Sequence, residues 1–220
     1  MNRKRAGVVC MAAGAVLIVS ALLLVLYNQQ EDIRAGQAAD SVLPEMQAAI
    51  AEHLETAPPE EHVNPFDEEA VQEAQEMTVT EIKGQDYIGC LSIPALNLEL
   101  PVISEWSYPR LRIAPCRQFG SAKGDDLVIA GHNYRKHFGN LASLSAGDLI
   151  SFTDMDGAVS YYRVESVGVI SPQSTQVVKD SEWDLVLYTC TYGGQNRAMV
   201  GCVRTTEETA KGLLSEFSCG

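Results

Sequence analysis

The sequence predicts an all-β domain, a closed or nearly closed barrel of eight strands with short helices, set behind an N-terminal transmembrane helix and a partly helical stalk. Three observations carry this. Residues 6–27 hold no charged side chain. Residues 28–83 are rich in Ala, Glu and Gln. From residue 84, short apolar runs follow one another, bounded by Gly, Pro, Asp and Ser, as in chains of many short strands.

The anchor comes first. Asn2-Arg3-Lys4-Arg5 precedes Ala6–Tyr27, 22 uncharged positions. At about 1.5 Å per residue such a helix spans about 33 Å, enough for a bilayer core. A cleaved signal peptide has a shorter apolar region ending in a small-x-small site, and no such site follows here. The three N-terminal cations favour a cytoplasmic N-terminus, with the remainder outside the cell membrane in a single-pass topology.

The stalk, 28–83, carries 14 acids against Arg34 and Lys83, so most of the net charge of -13 resides there. Met46, Ala49, Ile50 and Leu54 recur at helical spacing, with Pro44 suited to a first turn. Asp67 is suited to cap a second helix over Glu68 to Glu76. The expectation is a solvated spacer. Nothing in the charge distribution resembles a nucleic-acid surface.

Strands are expected near 87–93, 98–103, 110–114, 127–131, 148–153, 159–169, 184–190 and 198–205, with short helices over 107–111 and 138–144. Asp154-Met155-Asp156-Gly157 supplies the turn of a hairpin. Pro94 and Pro101 suit strand ends or edges. The tail, 207–220, reads as a terminal helix or a frayed end. Of six cysteines (Cys10, Cys90, Cys116, Cys190, Cys202, Cys219), Cys90 and Cys202 lie in apolar runs and read as core thiols. A Cys90–Cys116 bridge is the alternative. No CxxC pair and no cluster of zinc ligands is present, so no metal is expected.

Two strand ends carry chemistry. His132 ends Leu127-Val128-Ile129-Ala130-Gly131, and Cys190 ends Leu185-Val186-Leu187-Tyr188-Thr189, with Arg197 seven positions on. A thiol is a nucleophile once ionised, an imidazole gives and takes its proton, and a guanidinium holds an oxyanion. Arg204 is the rival arginine, at the far end of its strand. His137 reads as structural, and His53 and His62 belong to the stalk.

These landmarks resemble the sortases, membrane-anchored cysteine transpeptidases of Gram-positive bacteria. Tyr87-Ile88-Gly89-Cys90-Leu91-Ser92-Ile93-Pro94 with Leu100-Pro101-Val102 resembles the family's opening strands. Ala130-Gly131-His132-Asn133 resembles its histidine segment, and Leu187-Tyr188-Thr189-Cys190 its TLXTC signature, with Val186 in place of the first Thr. The likeness runs over residues 84–206. It implies an eight-stranded barrel and cleavage of an LPXTG-like sorting signal on surface proteins through a Cys190 thioester. The acyl group then passes to an amine of a peptidoglycan precursor or a pilin lysine. It also implies catalytic roles for Cys190, His132 and Arg197. The Thr189 hydroxyl, beside the thiol, is read as orienting the substrate or the arginine, with strand packing as the alternative.

The loop Ser171 to Trp183 resembles the family's recognition loop, with Val177 and Val178 as apolar contacts. Asn64-Pro65-Phe66-Asp67 is similar to the lid of pilin-polymerising members, although Asn replaces the usual Asp. No cofactor is expected; some members use calcium, but no acidic cluster here compels it. Two alternatives stay open: a cysteine endopeptidase that releases its substrate to water, and an anchored binding module without catalysis.

Overall fold

The computed structural model describes residues 3–56, 75–171, 178, 182–191 and 194–210. The chain divides into two units, Met1–Arg34 and Ala35–Gly220. Helix α1 runs Arg3–Thr56. In the first unit its large apolar side chains, Leu22, Leu23 and Leu24 among them, stand exposed. Among the described residues, this is the one helix long and apolar enough to cross a membrane.

The second unit is a barrel. Its strands are β1 (Thr80–Ile82), β2 (Gln85–Ile93), β3 (Leu98–Ile103), β4 (Cys116–Phe119), β5 (Leu127–Gly131), β6 (Leu149–Asp154), β7 (Val159–Ile170), β8 (Leu185–Cys190) and β9 (Arg197–Thr205). They are ordered β1-β2-β3-β4-β5-β8-β9-β7-β6, and β6 returns to pair with β2. Strands β2 to β9 thus form the closed eight-stranded barrel that the sequence predicts. Strand β1 is a ninth, added to β2 through a tight turn at Lys83-Gly84, where both residues have positive φ. Closure hinges on Gly89: at φ 149 a Cβ there would lie 2.2 Å from the Thr153 carbonyl oxygen of β6. Only glycine lets the two strands meet at that point.

The core follows from period-two alternation. Leu91, Ile93, Leu127, Ile129, Leu185, Leu187, Val200 and Cys202 point inward and join one buried cluster, which Ile88 enters out of phase across the irregularity at Gly89. The β6–β7 hairpin forms at the predicted turn, where Asp154 Oδ1 accepts the backbone N–H groups of Asp156 and Ala158. Pro101 sits in β3 opposite Cys90, on a strand that meets β4 only at Ile103. Its missing donor is therefore not needed.

Three expectations change. The strand placed at 110–114 is not formed. Ser107 accepts the Arg110 N–H, Pro109 fits the first turn, and α2 (Tyr108–Leu111) results. The barrel strand falls later, at β4. The helix expected at 138–144 shortens to a 3-10 turn, Leu141–Ser143. Third, residues 35–56 are not a solvated spacer. Ala35, Ala39, Val42 and Met46 form a buried stripe at spacings of four, three and four residues. Val42 and Met46 join Tyr87, Ile103, Cys116 and Ala130 in a second cluster. Pro44, expected to open a helix, lies inside α1. The Asp67-capped helix and the Asn64-Pro65-Phe66-Asp67 segment fall outside the described residues, apart from Gln75 and Glu76. The start of the tail, residues 207–210, is helical, and Thr206 accepts the Thr209 N–H.

Met46 is fully buried. Met46→Ala is expected to cost about 2–4 kcal/mol, since a large side chain is removed from a packed site. Urea denaturation of the full chain in detergent checks this; an unchanged midpoint would return the segment to a spacer.

Candidate active site

Strands β5 and β8 run parallel, with Ala130 beside Tyr188 and Gly131 beside Thr189. One step further, this register brings His132 beside Cys190. Strand β9 runs antiparallel to β8 with Arg197 directly opposite Cys190. Adjacent strands lie about 4.8 Å apart, so the three residues form one short row. They also share a face. Val128, Val186 and Met199 lie in a cluster on the barrel's outer side. Alternation carries His132, Cys190 and Arg197 to that same side.

Cys190 is exposed. Cys90, Cys116 and Cys202 are free thiols as well, so the alternative Cys90–Cys116 bridge is not formed. Burial pushes each of them up to about 12, with Glu99 adding to the rise at Cys90. Thiols held neutral this firmly are poor nucleophiles. Among the described cysteines, Cys10 and Cys190 are exposed, and Cys10 lies in the apolar helix. Cys219 falls outside the described residues.

A tight loop holds His132. A Cβ on Gly131 would lie 2.3 Å from the Phe138 ring, so the strand exit must be glycine. The Phe138 N–H donates to the His132 carbonyl at 3.1 Å, and the Gly139 N–H to the Tyr134 carbonyl at 2.8 Å. His137 is fully buried in this loop. His53 lies on α1, where its Nδ1 is 3.0 Å from the Ala49 carbonyl oxygen, and His62 is outside the described residues.

Arg197 donates through Nη1 to the carbonyl oxygens of Gly194 and Asn196, at 3.2 and 3.0 Å. Thr191 ties the same loop, its Oγ1 accepting the Asn196 N–H. Arg204 does other work at the opposite end of β9. It donates to Asp125, Ser160 and the Ala122 carbonyl, and lies over the Tyr162 ring.

Thr189 is buried on the inner face of β8, opposite to Cys190. Val178 is buried with Val128 and Val186; Val177 lies outside the described residues. Val186, the departure from the signature, is fully buried in that apolar cluster, where a methyl fits and a hydroxyl would need a partner.

Tyr188 has no role in the sequence reading, although its position two residues before Cys190 puts both on one face. Its hydroxyl donates to Gln118 Oε1. Burial pushes the phenol up to about 12; the Arg197 guanidinium opposes that rise and Cys190 adds to it. Gln118 lines an open groove of about 420 Å³ with Ser104, Glu105, Trp106, Arg117 and Phe119. Arg117 braces its wall by donating to the Ser104 carbonyl. Among the described residues, no cluster of His, Cys, Asp and Glu is arranged to hold a metal ion.

A family profile described as a sortase domain matches residues 91–205. Sortase A of Bacillus anthracis is 33% identical over 109 residues, 47% of this chain and 51% of that protein, so the chain spans about half the length of the curated relative it matches. Two solved structures share the fold. Streptococcus pneumoniae sortase C gives a TM-score of 0.51 at 22% identity, over 81% of this chain and 95% of that one. Sortase C-1 from Actinomyces oris gives 0.51 at 21%, over 74% and 98%.

Proposed function

The chain belongs to the sortase family of cysteine transpeptidases, and from that premise we propose that it cleaves an LPXTG-like sorting signal between Thr and Gly and transfers the acyl group to an amine. The observation that carries the proposal is the outer-face row of His132, Cys190 and Arg197, in which the thiol is exposed. The Cys190 thiolate attacks the Thr carbonyl carbon, forming a C–S bond and a tetrahedral oxyanion that Arg197 stabilises. The C–N bond to Gly breaks as the His132 imidazolium gives its proton to the departing amine. In the second half, neutral His132 takes a proton from the incoming amine. That nitrogen bonds to the acyl carbon, the C–S bond breaks, and the thiolate returns.

The groove beside Gln118 and Tyr188 supports a peptide seat that leads along the outer face toward Cys190. The loop 171–183 is the proposed recognition loop, with Val177 as an apolar contact, and Val178 is buried with Val128 and Val186. Thr189 supports Cys190 from the inner face of the strand. Substrates are surface proteins carrying the signal, and the acceptor amine belongs to a peptidoglycan precursor or a pilin lysine. The apolar helix anchors the enzyme, and its flanking cations assign the N-terminus to the cytoplasm and the barrel to the outside.

The test is intact-mass spectrometry of the full chain in detergent with LPXTG-like peptides, with and without triglycine. An acyl adduct that resolves into a triglycine-linked product is expected. An adduct lost only to water would make the protein an endopeptidase. The absence of any adduct across a panel of related motifs would overturn the proposal.

A further inference from the structure

We propose that Tyr134 is a positioning residue for the imidazole of His132, an inference that rests on the catalytic reading above. The two rings are stacked, with centroids 4.0 Å apart and planes only 6° from parallel. His137 meets the other partner of that stack edge-on, at 5.6 Å and 61° from the Tyr134 ring, and is itself fully buried. The backbone holds the three rings together. Phe138 donates to the His132 carbonyl, and both His137 and Gly139 donate to the Tyr134 carbonyl. The loop is thereby drawn into a closed turn that brings residue 134 back over residue 132.

The register of β5 and β8 determines where the His132 backbone lies, but not how its ring turns. Rotation about the Cβ–Cγ bond is broad for an aromatic ring. A ring that gives and takes protons does so in its own plane, through its nitrogen edges. A parallel stack is the contact that removes this freedom, because it covers one face and leaves the edges open. The π face of a tyrosine also favours a cation above it. Here that is the imidazolium, the form of His132 that must exist when the leaving amine is protonated. His137, packed against Tyr134 from within the fold, keeps the tyrosine from following the imidazole outward. The tyrosine therefore sets the angle of the acid without touching the peptide.

Tyr134→Phe retains the stack, whereas Tyr134→Leu retains bulk and removes the π face. With the full chain in detergent and a labelled LPXTG-like peptide, Tyr134→Leu is expected to lower kcat roughly 10–100-fold while KM stays within about twofold, because misorientation acts on the transition state. Tyr134→Phe should stay within about threefold of the parent in kcat, since the ring rather than the hydroxyl makes the contact. Histidine-selective NMR gives a readout independent of turnover. The His132 ring protons, assigned by their loss in His132→Gln, should be shifted upfield by the facing ring in the parent chain and in Tyr134→Phe, and should lose that shift in Tyr134→Leu.

Parental kcat in Tyr134→Leu overturns the proposal. Equal impairment in Tyr134→Phe also overturns it, by moving the role to the hydroxyl. If Tyr134→Leu fails to fold, a parent spectrum without the upfield shift is sufficient to reject the stack. If the parent turns over no peptide while the shift is present, the catalytic reading has failed and the stack has not.

Discussion

Cys190→Ala is expected to abolish the acyl adduct, with a fall in single-turnover rate of at least about 10^4-fold, and to leave the fold intact. Both halves follow from the position of the residue. Cys190 is exposed at the last position of β8, so its loss opens no cavity in the core. Its backbone stays in the ladder through Arg197, and Leu185, Val186, Leu187 and Thr189 before it on β8 are buried and unaltered. The other described thiols of the barrel cannot substitute. Cys90, Cys116 and Cys202 are pushed up to about 12 by burial, and Cys116 and Cys202 are fully buried in apolar clusters. Mass spectrometry for the adduct and urea denaturation for the fold check the two halves separately. An adduct surviving in Cys190→Ala would move the nucleophile elsewhere; a collapse in the denaturation midpoint would make the thiol structural.

The second large effect is at Arg197. Arg197→Ala is expected to reduce kcat about 10²–10³-fold, the usual consequence of losing one oxyanion donor. Arg197→Lys should recover little of this, because an ammonium keeps the charge but not the planar fork. The side chain is partly exposed and rests on the Gly194 and Asn196 carbonyl oxygens. Neither change removes buried contacts, so stability should move by less than about 1 kcal/mol. Steady-state kinetics against one peptide, with thermal unfolding as the control, decide it. Full activity in Arg197→Lys would show that charge alone is used. Full activity in Arg197→Ala would remove Arg197 from the mechanism and direct attention to the backbone N–H groups of the 191–196 loop.

His132 and Cys190 were legible because each closes an apolar run, where a change from buried to exposed marks a strand end, and Arg197 because it opens the strand paired with the one that Cys190 ends. Legibility failed where two local signals competed. At 107–114 two expectations overlap, a helix over 107–111 and a strand over 110–114; Ser107 and Pro109 start the helix, four residues long, and the strand does not form. Capping is a short-range interaction and forms without a partner strand, whereas the pleat needs one. Tyr134 is not legible for a different reason: nothing in the spacing of residues 132, 134 and 137 says that their rings meet, because the turn that folds 134 back over 132 is closed by backbone bonds to Phe138 and Gly139.

By itself the sequence determined the apolar span, the period-two pattern of the barrel, the hairpin at Asp154–Gly157 and the placing of His132 and Cys190 at the ends of apolar runs. Each of these is written in the order of neighbouring residues, through hydrophobic periodicity or turn chemistry. Tertiary structure decided the rest. The acidic, alanine-rich composition of residues 35–56 looks like a solvated spacer. Within its small buried stripe, Val42 and Met46 acquire a core only because distant strands present Tyr87, Ile103, Cys116 and Ala130 to complete it, and Ala39 joins the main barrel cluster. Closure at Gly89 depends on the approach of Thr153, and the neighbours of Cys190 depend on two strand registers. Such terms join residues far apart in the chain, where no local propensity can foretell them.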